Sequence, residues 1–202
     1  MESSIHVTKI KFITTLKEKR IVFFSLNDMQ KLFDLKNENT IKHLVIRLAK
    51  ENIVRRLMKN KYLFLHTNKL PSDFCTANNL VIPSYISLES ALSFYGAISQ
   101  FPYRTTSIVL TKSRSIMIGE KEFTYSKIKK EYFKDYVKTD DFLMATKEKA
   151  LFDYYYFIYK GLRPKNMVDE LSIFVKDPMI KNYFSKNADY SFMKYLKKYV
   201  KL

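Results

Sequence analysis

Three consecutive stretches decide the fold of the first third of the chain. They are Ser25-Leu-Asn-Asp-Met-Gln-Lys-Leu-Phe33, Ile41-Lys-His-Leu-Val-Ile-Arg-Leu48 and Ile53-Val-Arg-Arg-Leu-Met-Lys-Asn-Lys-Tyr-Leu-Phe-Leu65. In the first, Ser25 sits where a helix N-cap belongs, with Asp28 three residues on and Leu26, Met29, Leu32 and Phe33 on one helical face. In the second, Ile41, Leu44, Val45 and Leu48 recur at i, i+3, i+4 and i+7, the spacing of a helix that buries one side. Either Asn37 or Asn39 caps its start, and Asn52 stands at its end, where a left-handed residue is wanted. In the third, residues 53–57 and 62–65 alternate across Met58-Lys-Asn-Lys61, whose centre Lys59-Asn60 reads as a hairpin turn. Upstream, Val7, Ile10, Phe12, Ile13 and Leu16 predict a first helix ended by the charged run 17–20, and residues 21–24 predict a short strand. Helix, strand, helix, turn, helix, hairpin is the order of a winged helix-turn-helix, assigned to residues 1–70.

With the 41/44/45/48 face buried, the second stretch turns Asn39, Thr40, Lys42, His43, Arg47 and Lys50 outward. Such a mixture can hydrogen-bond base edges and phosphates in a major groove. The hairpin tip, Lys59, Asn60 and Lys61, with Arg55 and Arg56 behind it, would lie against the DNA backbone or minor groove. The alternative is a protein-interaction module with a solvated basic face. His43 reads as a surface histidine and not as a metal ligand.

Charge supports the first reading without deciding it. The 202 residues carry 36 Lys+Arg against 20 Asp+Glu, a formal net charge of +16, which draws the chain to polyanions. Residues 1–70 hold 15 basic and 6 acidic residues, net +9, so the excess is densest where the DNA-binding pattern lies. Lys outnumbers Arg 29 to 7, which equally suits a lysine-rich solvated surface. A 47% hydrophobic content with 3 Gly and 5 Pro excludes disordered and collagen-like chains. One cysteine, Cys75, excludes an internal disulfide and a Cys-rich zinc site, and reads as a small buried hydrophobe. The N-terminus lacks the basic and apolar regions of a signal peptide. The longest apolar stretch, residues 151–159, is broken by Asp153 and too short for a bilayer. A cytoplasmic protein without membrane contact is expected.

Residues 71–84 collect Pro71, Ser72, Asn78, Asn79, Pro83 and Ser84, which predicts a linker with at most one helical turn. Beyond it, residues 85–202 predict a second α+β domain with a small sheet and several helices. Ser87 is placed to cap a short helix bearing Glu89 in its first turn and closed by Gly96. Residues 105–111, 115–118 and 122–127 predict strands. Thr146 caps a helix over residues 147–160, stopped by Gly161. Asp140-Asp141 reads as a turn before Phe142, and helical patterns recur around 164–176 and 191–201, ending in a basic amphipathic tail.

Taken together, these segments resemble the AbiEi-type antitoxins of abortive-infection (type IV) toxin–antitoxin systems. Three elements carry the resemblance. They are Phe24-Ser-Leu-Asn-Asp-Met with Ile53-Val-Arg-Arg and Lys61-Tyr62-Leu-Phe; Tyr85-Ile-Ser-Leu-Glu-Ser-Ala-Leu92 with Tyr95-Gly96; and Ala145-Thr-Lys-Glu-Lys-Ala-Leu-Phe-Asp153, which matches a Pro-Glu-Lys-Ala-Leu-Asp type pattern. They cover roughly residues 20–160. Lys147 stands where the family tends to have Pro, Asn60 replaces the usual wing glycine, and the last 40 residues match no motif. The resemblance implies a repressor of its own operon that binds repeated promoter sites on double-stranded DNA. It also implies a C-terminal domain that counteracts a nucleotidyltransferase-like toxin, directly or indirectly. Read from the residues alone, Ser87, Glu89 and Ser90 are helix-start chemistry. Glu148, Lys149 and Asp153 are helix-surface groups, with Lys149 and Asp153 paired at i, i+4.

No catalytic constellation is present. Gly96, Gly119 and Gly161 are isolated, so no phosphate loop forms; His6, His43 and His66 lack metal-ligand spacing. A nucleotidyltransferase's Gly-Ser with spaced carboxylates for metal ions is missing too. The chain is expected to be neither an enzyme nor the toxin, and to use no cofactor. Two further readings stay open: a stand-alone winged-helix regulator or RNA-binding protein, and a module that blocks a toxin by contact. Tyr154-Tyr-Tyr156 could serve either as an exposed patch or as a stacking platform for single strands, although a helical aromatic stripe more often lies in the core.

Overall fold

The computed structural model describes residues 7–35, 37–100, 102–165 and 167–200, which divide into two units, Met1–Ser72 and Asp73–Leu202. Both mix helix and sheet, in agreement with an α+β class.

In the first unit, Thr8 accepts the Lys11 amide at 3.2 Å and opens α1, Lys9–Glu18, which ends at Arg20 in a left-handed conformation, φ 53°. β1 is Phe23–Phe24. Helix α2, Leu26–Leu32, starts with a reciprocal cap: the Asp28 amide donates to Ser25 Oγ at 3.1 Å and the Ser25 amide donates to Asp28 Oδ2 at 2.8 Å. The Ser25 hydroxyl beside it holds the Asp28 carboxyl below its ordinary range, helped by Lys31 and Lys61. Asn37, of the two candidates, caps α3, Glu38–Lys50, by accepting the Asn39 amide at 2.8 Å. Asn52, φ 54°, turns the chain from α3 into β2, Val54–Met58, and Asn60, φ 56°, turns β2 into β3, Lys61–Phe64. The three strands pair antiparallel in the order β1-β3-β2.

The core follows the apolar spacing. Ile41, Leu44, Val45 and Leu48 are buried with Leu16, Met29 and Phe64, while the Phe12 ring lies 5.7 Å from both Phe24 and Phe33. Each such side chain contributes about 1.5–3 kcal/mol through burial, which locks the exposed side of α3 in place.

The second unit begins earlier than expected. Residues 73–84 are not a linker: Asp73–Leu80 form α4, with Cys75, Ala77 and Leu80 buried. There follow β4, Ser84–Ile86; α5, Leu88–Phe94; β5, Arg104–Val109; β6, Arg114–Ile118; β7, Lys121–Lys127; and a 3-10 turn at Lys130–Tyr132. Then come β8, Tyr136–Thr139; β9, Phe142–Ala145; α6, Lys147–Tyr159; α7, Val168–Val175; α8, Pro178–Asn187; and α9, Tyr190–Tyr199. The sheet is larger than the small one expected. Its six strands run β6-β7-β5-β4-β9-β8, with β5 parallel to β7, β4 parallel to β9 and the other neighbours antiparallel. Thr146 caps α6 through the Lys149 amide, and Gly161, φ 69°, ends it. Tyr154, Tyr155 and Tyr156 are all buried, so they serve the core and offer neither a patch nor a platform. Among the described residues, no helix is long and apolar enough to cross a membrane.

Candidate nucleic-acid interface and a buried polar cluster

Asn39, Thr40, Lys42, His43, Arg47 and Lys50 are all exposed on α3, and residues 39–50 contain no carboxylate. The hairpin lies beside them. A groove with a volume of about 740 Å3 runs between α3 and the β2–β3 turn, its rim formed by Lys42, Lys50, Arg56 and Lys59 and its floor by Val45, Ala49 and Tyr62. Four cations around an open groove make a surface for a polyanion.

Four details differ from the sequence reading. Successive strand residues face opposite sides of a sheet, and the register puts Arg56 opposite Tyr62 but Arg55 opposite Leu63. Arg56 therefore lines the groove, while Arg55 lies on the sheet's other face. Asn60 is exposed, but its Oδ1 accepts the Leu26 amide at 2.9 Å, tying the hairpin tip to the start of α2. Its first task is structural. Lys61 is half-buried, and burial lowers its pKa against the opposing pull of Asp28. Ile46, which the apolar pattern did not single out, is 46% exposed and lines the groove; the face that looked wholly polar carries one aliphatic side chain.

In the second unit, the expected surface pair is interior. Lys149 is 1% exposed and Asp153 0%, and their ion pair is closed by two hydroxyls. Asp153 Oδ2 accepts Tyr85 Oη–H at 3.0 Å and Ser87 Oγ–H at 2.8 Å. Ser87 occupies the cap position of α5 but makes no cap bond, because its hydroxyl is committed to Asp153. Burial raises the Asp153 pKa above the ordinary carboxylate value, while Lys149, Ser87 and Tyr85 pull it back. Ser90 works on the opposite side of the α5 start: its amide donates to Thr106 Oγ1 at 3.0 Å, its Oγ accepts the Thr106 amide at 2.8 Å, and Thr106 Oγ1 donates to the Ser87 carbonyl at 2.6 Å. Leu88, between them, is held at φ 58°, a conformation costing roughly 1–2 kcal/mol outside glycine.

Ser87, Ser90, Lys149 and Asp153 thus fasten α5 to β5 and α6. Glu89 is separate, 3.3 Å from Arg163 Nε, and Glu148 is half-buried in the first turn of α6. The cluster has the chemistry of a staple. Its carboxylate is saturated by one cation and two hydroxyls and is closed to solvent, so it has no room for a substrate. Among the described residues, no group of three or more His, Cys, Asp and Glu is arranged to hold a metal ion.

No protein-family model matches the chain, and no curated protein matches it.

Proposed function

We propose that this chain is a DNA-binding antitoxin that represses its own operon. Its N-terminal unit acts as a winged helix-turn-helix on repeated promoter sites, and its second unit counteracts a nucleotidyltransferase-like toxin. The observation that carries the DNA-binding half is α3: an exposed face of Asn, Thr, Lys, His and Arg beside a groove ringed by Lys42, Lys50, Arg56 and Lys59. Arg47 and Lys42 flank that face, positioned to reach base edges and phosphates from either side. The antitoxin half rests on the resemblance in the 85–96 and 145–153 segments. Because the residues carrying it are mostly interior, they maintain the second unit's shape, and contact with a toxin or its substrate falls to other surfaces. In this account the chain catalyses nothing and needs no cofactor.

The test is binding of the Lys42→Ala, Arg47→Ala double variant to the DNA upstream of the chain's own gene. A lost base contact costs about 1–3 kcal/mol, and a lost phosphate contact lowers the salt slope by about one. The variant is expected to bind at least tenfold more weakly with an unchanged melting profile. Equal affinity of variant and parent would remove α3 from the interface.

A further inference from the structure

We infer that the C-terminal end of the second unit carries a separate binding surface for single-stranded nucleic acid, built from Tyr159, Tyr195 and Tyr199 with Lys160, Lys165 and Lys198. The buried Tyr154–Tyr156 run leads, at the last residue of α6, to Tyr159, which is half-buried. Asp189 caps α9 by accepting the Phe192 amide at 2.8 Å, and Phe192 and Leu196 bury the inner side of that helix. Phe192 stacks on Tyr159 with ring centroids 5.2 Å apart. From there a row of rings runs outward: Tyr159 to Tyr195 at 5.3 Å, then Tyr195 to Tyr199 at 4.9 Å, the last ring 51% exposed. Tyr195 and Tyr199 are one helical turn apart, so a single face of α9 presents both.

Lysines accompany each ring. Lys160 lies 5.0 Å from the Tyr159 centroid, Lys165 lies 6.0 and 5.1 Å from those of Tyr195 and Tyr199, and Lys198 lies 5.0 Å from that of Tyr199. All three lysines are exposed, and residues 190–199 hold no carboxylate. Cation–π contacts at exposed positions are weak. Each ammonium can therefore leave its ring for a phosphate while an unpaired base takes its place on the π face. Alternating aromatic rings and cations are what sequence-tolerant single-strand binding requires. A duplex keeps its base faces stacked inside and cannot use the row. This inference is independent of the α3 reading, since it concerns the other unit.

The experiment uses the full chain with a Lys42→Ala, Arg47→Ala background, so that α3 contributes little. Fluorescein-labelled oligo-dT and oligo-U of about a dozen nucleotides, a length within common single-strand site sizes, are titrated across a salt series. A duplex of the same length and vesicles of anionic phospholipid run in parallel. Both single strands are expected to bind more tightly than the duplex and to quench tyrosine emission, which is unmasked because the chain has no Trp. Tyr195→Leu, Tyr199→Leu should weaken binding on the order of a hundredfold, as two lost stacking contacts imply. Tyr195→Phe, Tyr199→Phe should restore it, and Lys165→Ala, Lys198→Ala should flatten the salt dependence. Leucine variants that bind like the parent overturn the inference, as does adsorption to vesicles without oligonucleotide binding, or no binding to any probe.

Discussion

Replacing Lys149 by Met tests the buried staple most sharply. Methionine fills most of the space of the lysine stem but removes the ammonium, leaving Asp153 at 0% exposure with only Tyr85 and Ser87 as donors. Removing one partner of a buried ion pair costs about 3–5 kcal/mol. The two remaining hydroxyls place this case near the lower end, about 3 kcal/mol. For a unit of this length, a loss of 1 kcal/mol lowers Tm by about 4 °C, so the second unit should melt about 12 °C lower at neutral pH.

The pH dependence separates charge from packing. Burial already raises the Asp153 pKa in the folded chain, so the native state holds its proton more tightly than the unfolded state does. Between the ordinary carboxylate value and the raised one, the native state therefore binds more protons, and stability falls as pH rises. Without Lys149 to pull it back, the pKa climbs further, and the penalty for Lys149→Met should shrink steadily as pH falls through that window. Scanning calorimetry reads both units: the transition of the second should move and that of the first should stay. A penalty that is the same at acidic and neutral pH, or no shift at all, would refute the ion-pair reasoning.

Other consequences are direct. Asn60→Ala leaves at φ 56° a residue without the short polar side chain that lets asparagine tolerate the left-handed region, and orphans the Leu26 amide. The first unit should lose about 2 kcal/mol in urea unfolding, with Asn60→Gly recovering only the backbone share. Arg56→Ala should weaken duplex binding about tenfold whereas Arg55→Ala leaves it nearly intact, because only Arg56 lines the groove. Gel-shift titration of the two variants side by side decides this. Burial pushes the Cys75 thiol up to about 12. It should stay unreactive toward a thiol reagent in the folded chain at mildly alkaline pH and react promptly in denaturant.

The first unit was legible because its instructions are local. Ser25 and Asp28 cap one another across three residues, Asn52 and Asn60 take the left-handed turns, and the 41/44/45/48 stripe needs no distant partner to be recognised. The second unit hides its logic in separation. β4 is three residues long, has no readable period and pairs with β9 through Ile86 and Met144. Its existence depends on a partner the local pattern cannot name. Lys149 and Asp153 show i, i+4 spacing whether they lie on a surface or in a core; Tyr85 and Ser87, more than sixty residues earlier, decide which. The stretch 73–80, rich in loop-forming Asn, is helical because Cys75, Ala77 and Leu80 find a hydrophobic interior. Of the α3 surface, the polar residues were legible from the helical period. Ile46 was not, since it falls outside the 41/44/45/48 stripe and nothing local marks an aliphatic residue for an exposed face.

The central claim is sequence-specific recognition of the chain's own promoter. Fluorescence anisotropy of the full chain on the DNA upstream of its gene, against a scrambled duplex of equal composition across a salt series, tests it directly. The account predicts tighter binding to the native fragment that persists near physiological salt. Equal binding to both duplexes, collapsing steeply as salt rises, would reduce the interface to the generic attraction of a +16 chain and contradict it.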